Sequence, residues 1–193
     1  MARYLKLKLK TRQKYGLASP EESIRRKKKV IPRQTDYGQR LEQKQKLKYI
    51  YGVMEKQMKR YAKEAFSGKG DAQIELLQKL EMRLDNVVFR LGFGKTREQA
   101  RQLVNHGHIL VNNKKVDIAS YQLSSGELVS LNEKIRKNHF FTSQIQENQK
   151  SLVLASYLEY RPDSGRVLGL PKKDDLAQNV DIAKVMEFYR EII

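Results

Sequence analysis

The sequence predicts an α+β fold, and three observations predict it. Apolar residues recur at helical spacing through residues 36–66 and 74–91. Short alternating stretches interrupted by turn residues follow, one around Asn112-Asn113 and one around "PDSG", Pro162 to Gly165. Between the early helices and the rest lies "SGKGD", Ser67 to Asp71, a linker signal with two glycines and an aspartate able to cap the next helix.

At 193 residues the chain can bury a core as one large domain or two small ones. A net charge of +17 and a pI near 9.9 point to a polyanionic partner, either nucleic acid or an anionic membrane surface. No run approaches the roughly 18 apolar residues of a membrane span, and "MARYLKLKLKTRQKYG" at the start lacks the apolar core and cleavage site of a signal peptide. The absence of cysteine rules out disulfides and any Cys-ligated zinc or iron–sulfur site, and agrees with a reducing compartment. With no tryptophan, base stacking must come from Tyr, Phe, His or Arg.

The charge is concentrated. Up to Gly70 there are 21 Lys and Arg against 6 Asp and Glu; from Asp71 on there are 18 against 16. "IRRKKKVIPRQ", Ile24 to Gln34, holds five consecutive basic residues, then Pro32, with almost no apolar periodicity. It reads as an arm that would lie along phosphates and gain affinity as condensed counterions are released. The competing reading is a solvated basic tail or a localisation signal.

Past the arm, Thr35 or Asp36 caps a first helix whose buried face takes Tyr37, Leu41, Leu47, Ile50 and Tyr51, with Arg40, Lys44, Lys46 and Lys48 outside. Gly52 breaks or ends it. Val53 to Phe66 repeats the pattern, with Met54, Met58, Tyr61, Ala62, Ala65 and Phe66 apolar and Lys56, Lys59, Arg60 and Lys63 outside. Ile74, Leu77, Leu80, Leu84, Val87, Val88 and Leu91 form one stripe of a third helix closed by Gly92. Thr96 and Gln99 fit a capping box. In that fourth helix Ala100, Leu103 and Val104 face inward, Arg97 and Arg101 project together one turn apart, and Gly107 stops it. "HILVNNKKV" is a hairpin turning at Asn112-Asn113, with Lys114 and Lys115 just past the tip. "GELVSL" is a strand, "NEKIRKNHFFTSQIQENQK" a polar helix or connector, and Ile182 to Tyr189 a final short helix.

Several motifs are weighed and set aside. "RLGFGKT" has a glycine pair ahead of a helix, but the Walker spacing needs a further glycine at or beside Val88, where none stands, so nucleotide hydrolysis is rejected and the glycines serve close helix packing. "RLD", Arg83 to Asp85, resembles the catalytic signature of pseudouridine synthases, yet Met82 replaces its glycine and Leu84 belongs to the apolar stripe. His106 and His108, with only His139 besides, read as turn residues and nucleic-acid contacts, so no metal and no cofactor are expected. Arg97 and Arg101 alone would pass for solvated positions. Beside a basic hairpin they make a rigid surface for phosphate contacts and for the wide minor groove of RNA.

The stretch "LEMRLDNVVFRLGFGKTREQARQLVNHGHILVNNKKVDIASYQLSSGELVSL", Leu80 to Leu131, resembles the S-four-type RNA-binding module. The flanks "MARYLKLKLK", "DYGQRLEQKQKLKYIYGVMEKQMKRYAKEA" and "DDLAQNVDIAKVMEFY" resemble the bacterial or organellar family of small-subunit ribosomal proteins that gives the module its name. The resemblance implies a basic arm at 1–35 and a helical domain at 36–82, completed by 174–193. It also implies an α+β RNA-binding domain at 83–173, of helices and a small antiparallel sheet, with the module at about 83–145. It implies a structural, non-enzymatic protein that binds a junction in the 5′ domain of small-subunit ribosomal RNA and nucleates subunit assembly. Protein S-five is the expected neighbour and protein S-three a second candidate, in a ribosome of the bacterial cytoplasm or of an organelle.

The candidate rRNA contacts are then Arg3, Arg25, Arg26, Lys27, Lys28, Lys29, Arg33, Tyr51, Lys59, Arg60, Arg83, Lys95, Thr96, Arg97, Arg101, His106, His108, Asn113, Lys114 and Lys115. Arg40, Lys44, Lys46 and Lys48 are the candidates facing incoming messenger RNA and contributing to decoding accuracy. Relatives with an N-terminal cysteine cluster or a Pro-Gly-Gln-His-Gly stretch differ from "SPEESIRRKKKVIPRQTDYG", which has neither. An RNA-modifying enzyme built on the same module, or a free-standing regulatory RNA binder, are the alternatives.

Overall fold

A computed structural model describes Tyr15, residues 35–150 without the side chain of Phe140, and residues 155–161, 163–172, 175 and 179–193. Arg3, Arg25, Arg26, Lys27, Lys28, Lys29 and Arg33 lie outside the described residues, as do the rest of the basic arm apart from Tyr15 and Thr35, and Pro162 of the expected turn. In chain order the described elements begin with helices α1 (Asp36–Ile50), α2 (Glu55–Ser67), α3 (Ala72–Glu81), α4 (Leu84–Arg90) and α5 (Arg97–Asn105). Strands β1 (Ile109–Val111), β2 (Lys114–Lys115) and β3 (Leu128–Leu131) precede helices α6 (Glu133–Arg136) and α7 (His139–Lys150). Strands β4 (Leu158–Arg161) and β5 (Ser164–Val167) and helix α8 (Ile182–Arg190) complete the order. None of the described helices is long and apolar enough to cross a membrane.

The chain divides into two compact units, Met1–Gln73 with Gln178–Ile193, and Ile74–Ala177. In the first, Thr35 caps α1 by accepting a hydrogen bond from the Gly38 amide at 3.2 Å, and Gly52 (φ 60°) lies just past the helix end. Leu47, Tyr51, Val53, Met58, Tyr61, Ala62 and Ala65 are buried, as are Ile182, Val185, Met186, Phe188 and Tyr189 of α8, which packs on α1 and α2. Asp181 caps α8 through the Lys184 amide at 3.2 Å, and the Asp181 amide and Lys184 ammonium donate to Gln43 and Gln39 of α1 at 3.1 and 2.8 Å.

Two sequence assignments change here. Tyr51 is 3 % exposed and belongs to this core rather than to an RNA-facing surface, and Lys44, placed outside by its spacing, is 5 % exposed. Lys44 is drawn inward because its ammonium meets Glu55 at 3.0 Å and lies 4.5 Å from the centroid of the Phe188 ring. Lys48 and the Tyr189 hydroxyl reach the same carboxylate at 3.1 and 3.0 Å.

In the second unit the expected single third helix is two. At Arg83 the backbone is extended (φ −68°, ψ 139°) and forms a bridge with Gln122. The amides of Leu84 and Leu123 donate to Tyr121 and Met82 carbonyls, both at 2.9 Å. Strand-type pairing thus replaces two residues of helix, while Leu80, Leu84, Val87, Val88 and Leu91 all still face the interior. From Ile74 on, helix α3 falls within this unit. Its Glu81 holds Arg90 and Tyr157, and Lys79 accepts from Gln122. The antiparallel sheet runs β2-β1-β3-β5-β4, with Val111 opposite Lys114, Ile109 opposite Leu131 and Val129 opposite Gly165. The connector after β3 is helical, as α6 and α7. Helices α4 and α5 share one core with the sheet through Val87, Val88, Ala100, Val104, Ile109, Val129 and Val167.

Burial raises the Glu55 carboxyl, but hydrogen bonds from Lys44, Lys48 and Tyr189, with the charge of Lys44, outweigh it and hold it below its ordinary value of 4.5. A depressed folded-state value contributes stability above the unfolded value that is lost as pH falls through the folded one. Acid titration of the folded protein followed by circular dichroism is expected to show this loss below about pH 4.5, and Glu55→Ala to cost about 1 kcal/mol or less at neutral pH, solvent screening this half-exposed carboxylate, while flattening that dependence.

Candidate RNA-binding surface

The surface is built on α5 and the hairpin behind it. Thr96, in extended backbone, caps α5 by accepting from the Gln99 amide at 3.1 Å. Gln99 reaches back one residue further than a capping box requires, to the Lys95 amide at 2.7 Å. Ala100, Leu103 and Val104 are buried. At the other end the His108 amide bonds the Leu103 carbonyl at 3.0 Å and the Gly107 amide bonds Val104 at 2.8 Å. That is a Schellman turn, which needs the left-handed conformation Gly107 adopts at φ 69°.

Strand β1 leaves the turn directly, and Asn112 and Asn113, at φ 49° and 63°, make the tight hairpin. Asn112 is braced at its backbone and side chain by Leu128, its amide donating to the Leu128 carbonyl at 2.8 Å and its Oδ1 accepting from the Leu128 amide at 3.0 Å. Glu127 fixes the same region by accepting from the Ser124 amide and the Tyr121 hydroxyl at 2.7 and 3.1 Å. The tip is held on both sides, so exposed Asn113, Lys114 and Lys115 occupy fixed positions.

The arginines are anchored from below. Arg97 donates from Nε to Asn86 Oδ1 at 2.8 Å and lies 4.5 Å over the Phe89 ring. Asn86 is itself fixed, because its amide donates to the Glu81 carbonyl and carboxylate at 3.0 and 2.7 Å. Glu81, fully buried, also takes Arg90 at 2.8 and 3.1 Å and the Tyr157 hydroxyl at 3.0 Å. Burial and the neighbouring Glu81 charge push the Tyr157 phenol far above its usual range, so it remains a donor. Arg101 stands 3.7 Å from Asp85, with its side chain 12 % exposed.

Arg83 is corrected. It is fully buried, its Nε and Nη2 donating to Asp85 at 3.0 and 2.7 Å, so its side chain is an internal ion pair and not an RNA contact. Lys95, Thr96, His106, Asn113, Lys114 and Lys115 are exposed around Arg97, Arg101 and His108. In the first unit Lys59 and Arg60 are exposed, bonded to the Ile192 carbonyl at 3.2 Å and paired with Glu64 at 3.5 Å. Of the messenger-facing candidates, Arg40 pairs with Glu191, Lys48 with Glu55, Lys44 is buried and Lys46 is half-buried. The sequence reading missed Asp85, Asn86 and Phe89 as the groups that hold the arginines. Their signal was two polar residues inside an apolar stripe.

Two outcomes follow from this packing. Asp85→Asn leaves the Arg83 guanidinium buried without its carboxylate and is expected to cost about 3–5 kcal/mol in denaturant unfolding. A Cβ at Gly94 would lie 2.7 Å from the Ala100 backbone nitrogen, so Gly94→Ala is expected to cost about 1–3 kcal/mol by the same measurement.

Residues 82–129 match the S4 domain family, and residues 2–81 match the ribosomal protein S4/S9 N-terminal domain. The small ribosomal subunit protein uS4 of Persephonella marina is 47 % identical over 158 residues, 80 % of this chain and 77 % of that protein. That of Aquifex aeolicus is 42 % identical over 190 residues, covering 96 % and 88 %. That of Mycoplasma capricolum is 41 % identical over 159 residues, covering 82 % and 76 %. With the N-terminal domain, the S4 domain and this identity along most of its length, the chain belongs to the small ribosomal subunit protein uS4 family.

Proposed function

We propose that the chain is a structural, non-enzymatic constituent of the small ribosomal subunit that binds small-subunit ribosomal RNA. The observation that carries the reading is the fixed basic surface of α5 and its hairpin, in a chain of the uS4 family. Arg97, Arg101, His106, His108, Asn113, Lys114, Lys115, Lys95 and Thr96 contact rRNA phosphates and shallow-groove edges through this preset shape. Lys59, Arg60 and the basic arm, with Arg3, Arg25, Arg26, Lys27, Lys28, Lys29 and Arg33, add phosphate contacts.

The finer reading is primary binding to a junction of the 5′ domain, early enough to nucleate assembly, with proteins S-five and S-three as neighbours. The helical domain contributes to the region where messenger RNA enters, through Lys46 and the partly exposed Arg40 and Lys48. The complex sits in the cytoplasmic ribosome of a bacterium, or in an organelle ribosome. Support comes from the family and from the charge excess before Gly70.

Binding of the full chain to a 5′-domain transcript, measured between 50 and 200 mM salt, is expected to be stoichiometric and strongly salt-dependent. Arg97→Ala and Lys114→Ala should each lower the slope of log affinity against log salt by about one unit. Unchanged slopes in folded variants would make these side chains bystanders. Pseudouridine appearing in the bound RNA would turn the reading to an enzyme, and sedimentation away from subunits at physiological salt would turn it to a free-standing regulator.

A further inference from the structure

Three elements meet at the end of α5. The Schellman turn sets His106, exposed, and His108, half-buried, on either side of Gly107, with ring centroids 5.9 Å apart and planes at 72°. Lys115 folds back from β2 over the same glycine, since a Cβ at Gly107 would lie 2.0 Å from its Cε and 2.6 Å from its Nζ. Helix α6 is fastened to the turn by Asn132, whose side chain donates to the Gly107 carbonyl at 3.1 Å and whose amide donates to the His108 carbonyl at 2.9 Å. This brings Lys134 into the field of His108.

The cluster is one-signed. The charged groups acting on His108 are His106, Lys134 and Lys115, one from each surrounding element, and none of them takes part in an ion pair among the described residues. Glu133, the nearby carboxylate of α6, pairs with Lys137 at 3.5 Å. The Nδ1 of His108 is buried without a hydrogen-bond partner among the described residues.

We propose that His106, His108, Lys115 and Lys134 form one phosphodiester-binding site of the RNA surface, and that His108 takes up a proton as the phosphate binds. The proposal rests on the RNA-binding reading above and adds Lys134 and the proton to it. Two lysines and two imidazoles around one turn match a singly charged group with several acceptor oxygens, and in RNA the only such anion is the backbone phosphate. In the free protein, burial first and then His106, Lys134 and Lys115 hold His108 below its usual 6.5, so the ring is neutral at pH 7. A phosphate beside it stabilises the imidazolium and raises that value. Protons are therefore taken up on binding between the two values, and affinity rises as pH falls and is lost as pH rises.

The test titrates full-length protein into a 5′-domain transcript at constant ionic strength from pH 7.5 to 5.5. Wild type is expected to gain about ten-fold in affinity over that span. His108→Gln should gain about two-fold or less over the same span. Lys134→Met should weaken binding by about three-fold throughout and move the pH midpoint upward, because it removes one of the charges that hold His108 low. Parallel pH profiles for wild type and His108→Gln would overturn the proton link, and unaltered binding by Lys134→Met would overturn the site. If His108→Gln is unfolded by circular dichroism, the Lys134→Met midpoint decides. Tight binding independent of pH removes only the proposal made here, whereas no binding at any pH removes the RNA reading itself.

Discussion

Asp85 accepts two hydrogen bonds from Arg83 in the interior of the second unit, and Arg101 stands 3.7 Å from the same carboxylate. A guanidinium cannot be left in that interior without such a partner, so wherever Arg83 goes the carboxylate must be two residues away and facing it. The extended backbone at Arg83 satisfies this, and it also frees the main chain to pair with Gln122. The break between α3 and α4, the docking of residues 119–123 and the placement of Arg101 thus hang on one side chain. Replacing the pair by apolar groups of equal shape could leave the core as stable, but it would lose the register these hydrogen bonds impose.

The adjacent residue repeats the device in neutral form. Asn86 takes its orientation from Glu81 and passes it to Arg97, whose planar group also rests on Phe89. A lysine ammonium can lie over a ring, as Lys44 does over Phe188, but it has no planar group to rest on Phe89 while a separate Nε donates to Asn86. Arginines placed this way give up conformational freedom on folding rather than on meeting a polyanion. Less ordering is then left for association.

Much of this was legible. The α5 cap, its glycine stop and the Asn-Asn hairpin each depend on residues within a few positions, so local chemistry alone specifies them. The miss at residues 82–83 has a different origin. The apolar spacing runs unbroken across them, and what stops the helix is a bridge to Gln122, 39 positions on, which no local pattern records. Lys44 and Arg83 were misplaced for the same reason. Basic or amphipathic side chains are read as outward by default, and only Glu55, Phe188 and Asp85, brought in by tertiary packing, turn them inward.

The pairing of α1 with α8 bears on the order in which the chain folds during synthesis. Gln39 and its partner Lys184 are 145 positions apart, while Thr96 and the rest of the hairpin device need only neighbours. On a ribosome adding about 5–20 residues per second, the second unit has its whole sequence before α8 is made, and α1 waits several seconds or more with Leu47 and Tyr51 uncovered. The helical unit is therefore the aggregation-exposed part of the nascent protein, and α8, made long after α1, is the helix that ends that exposure.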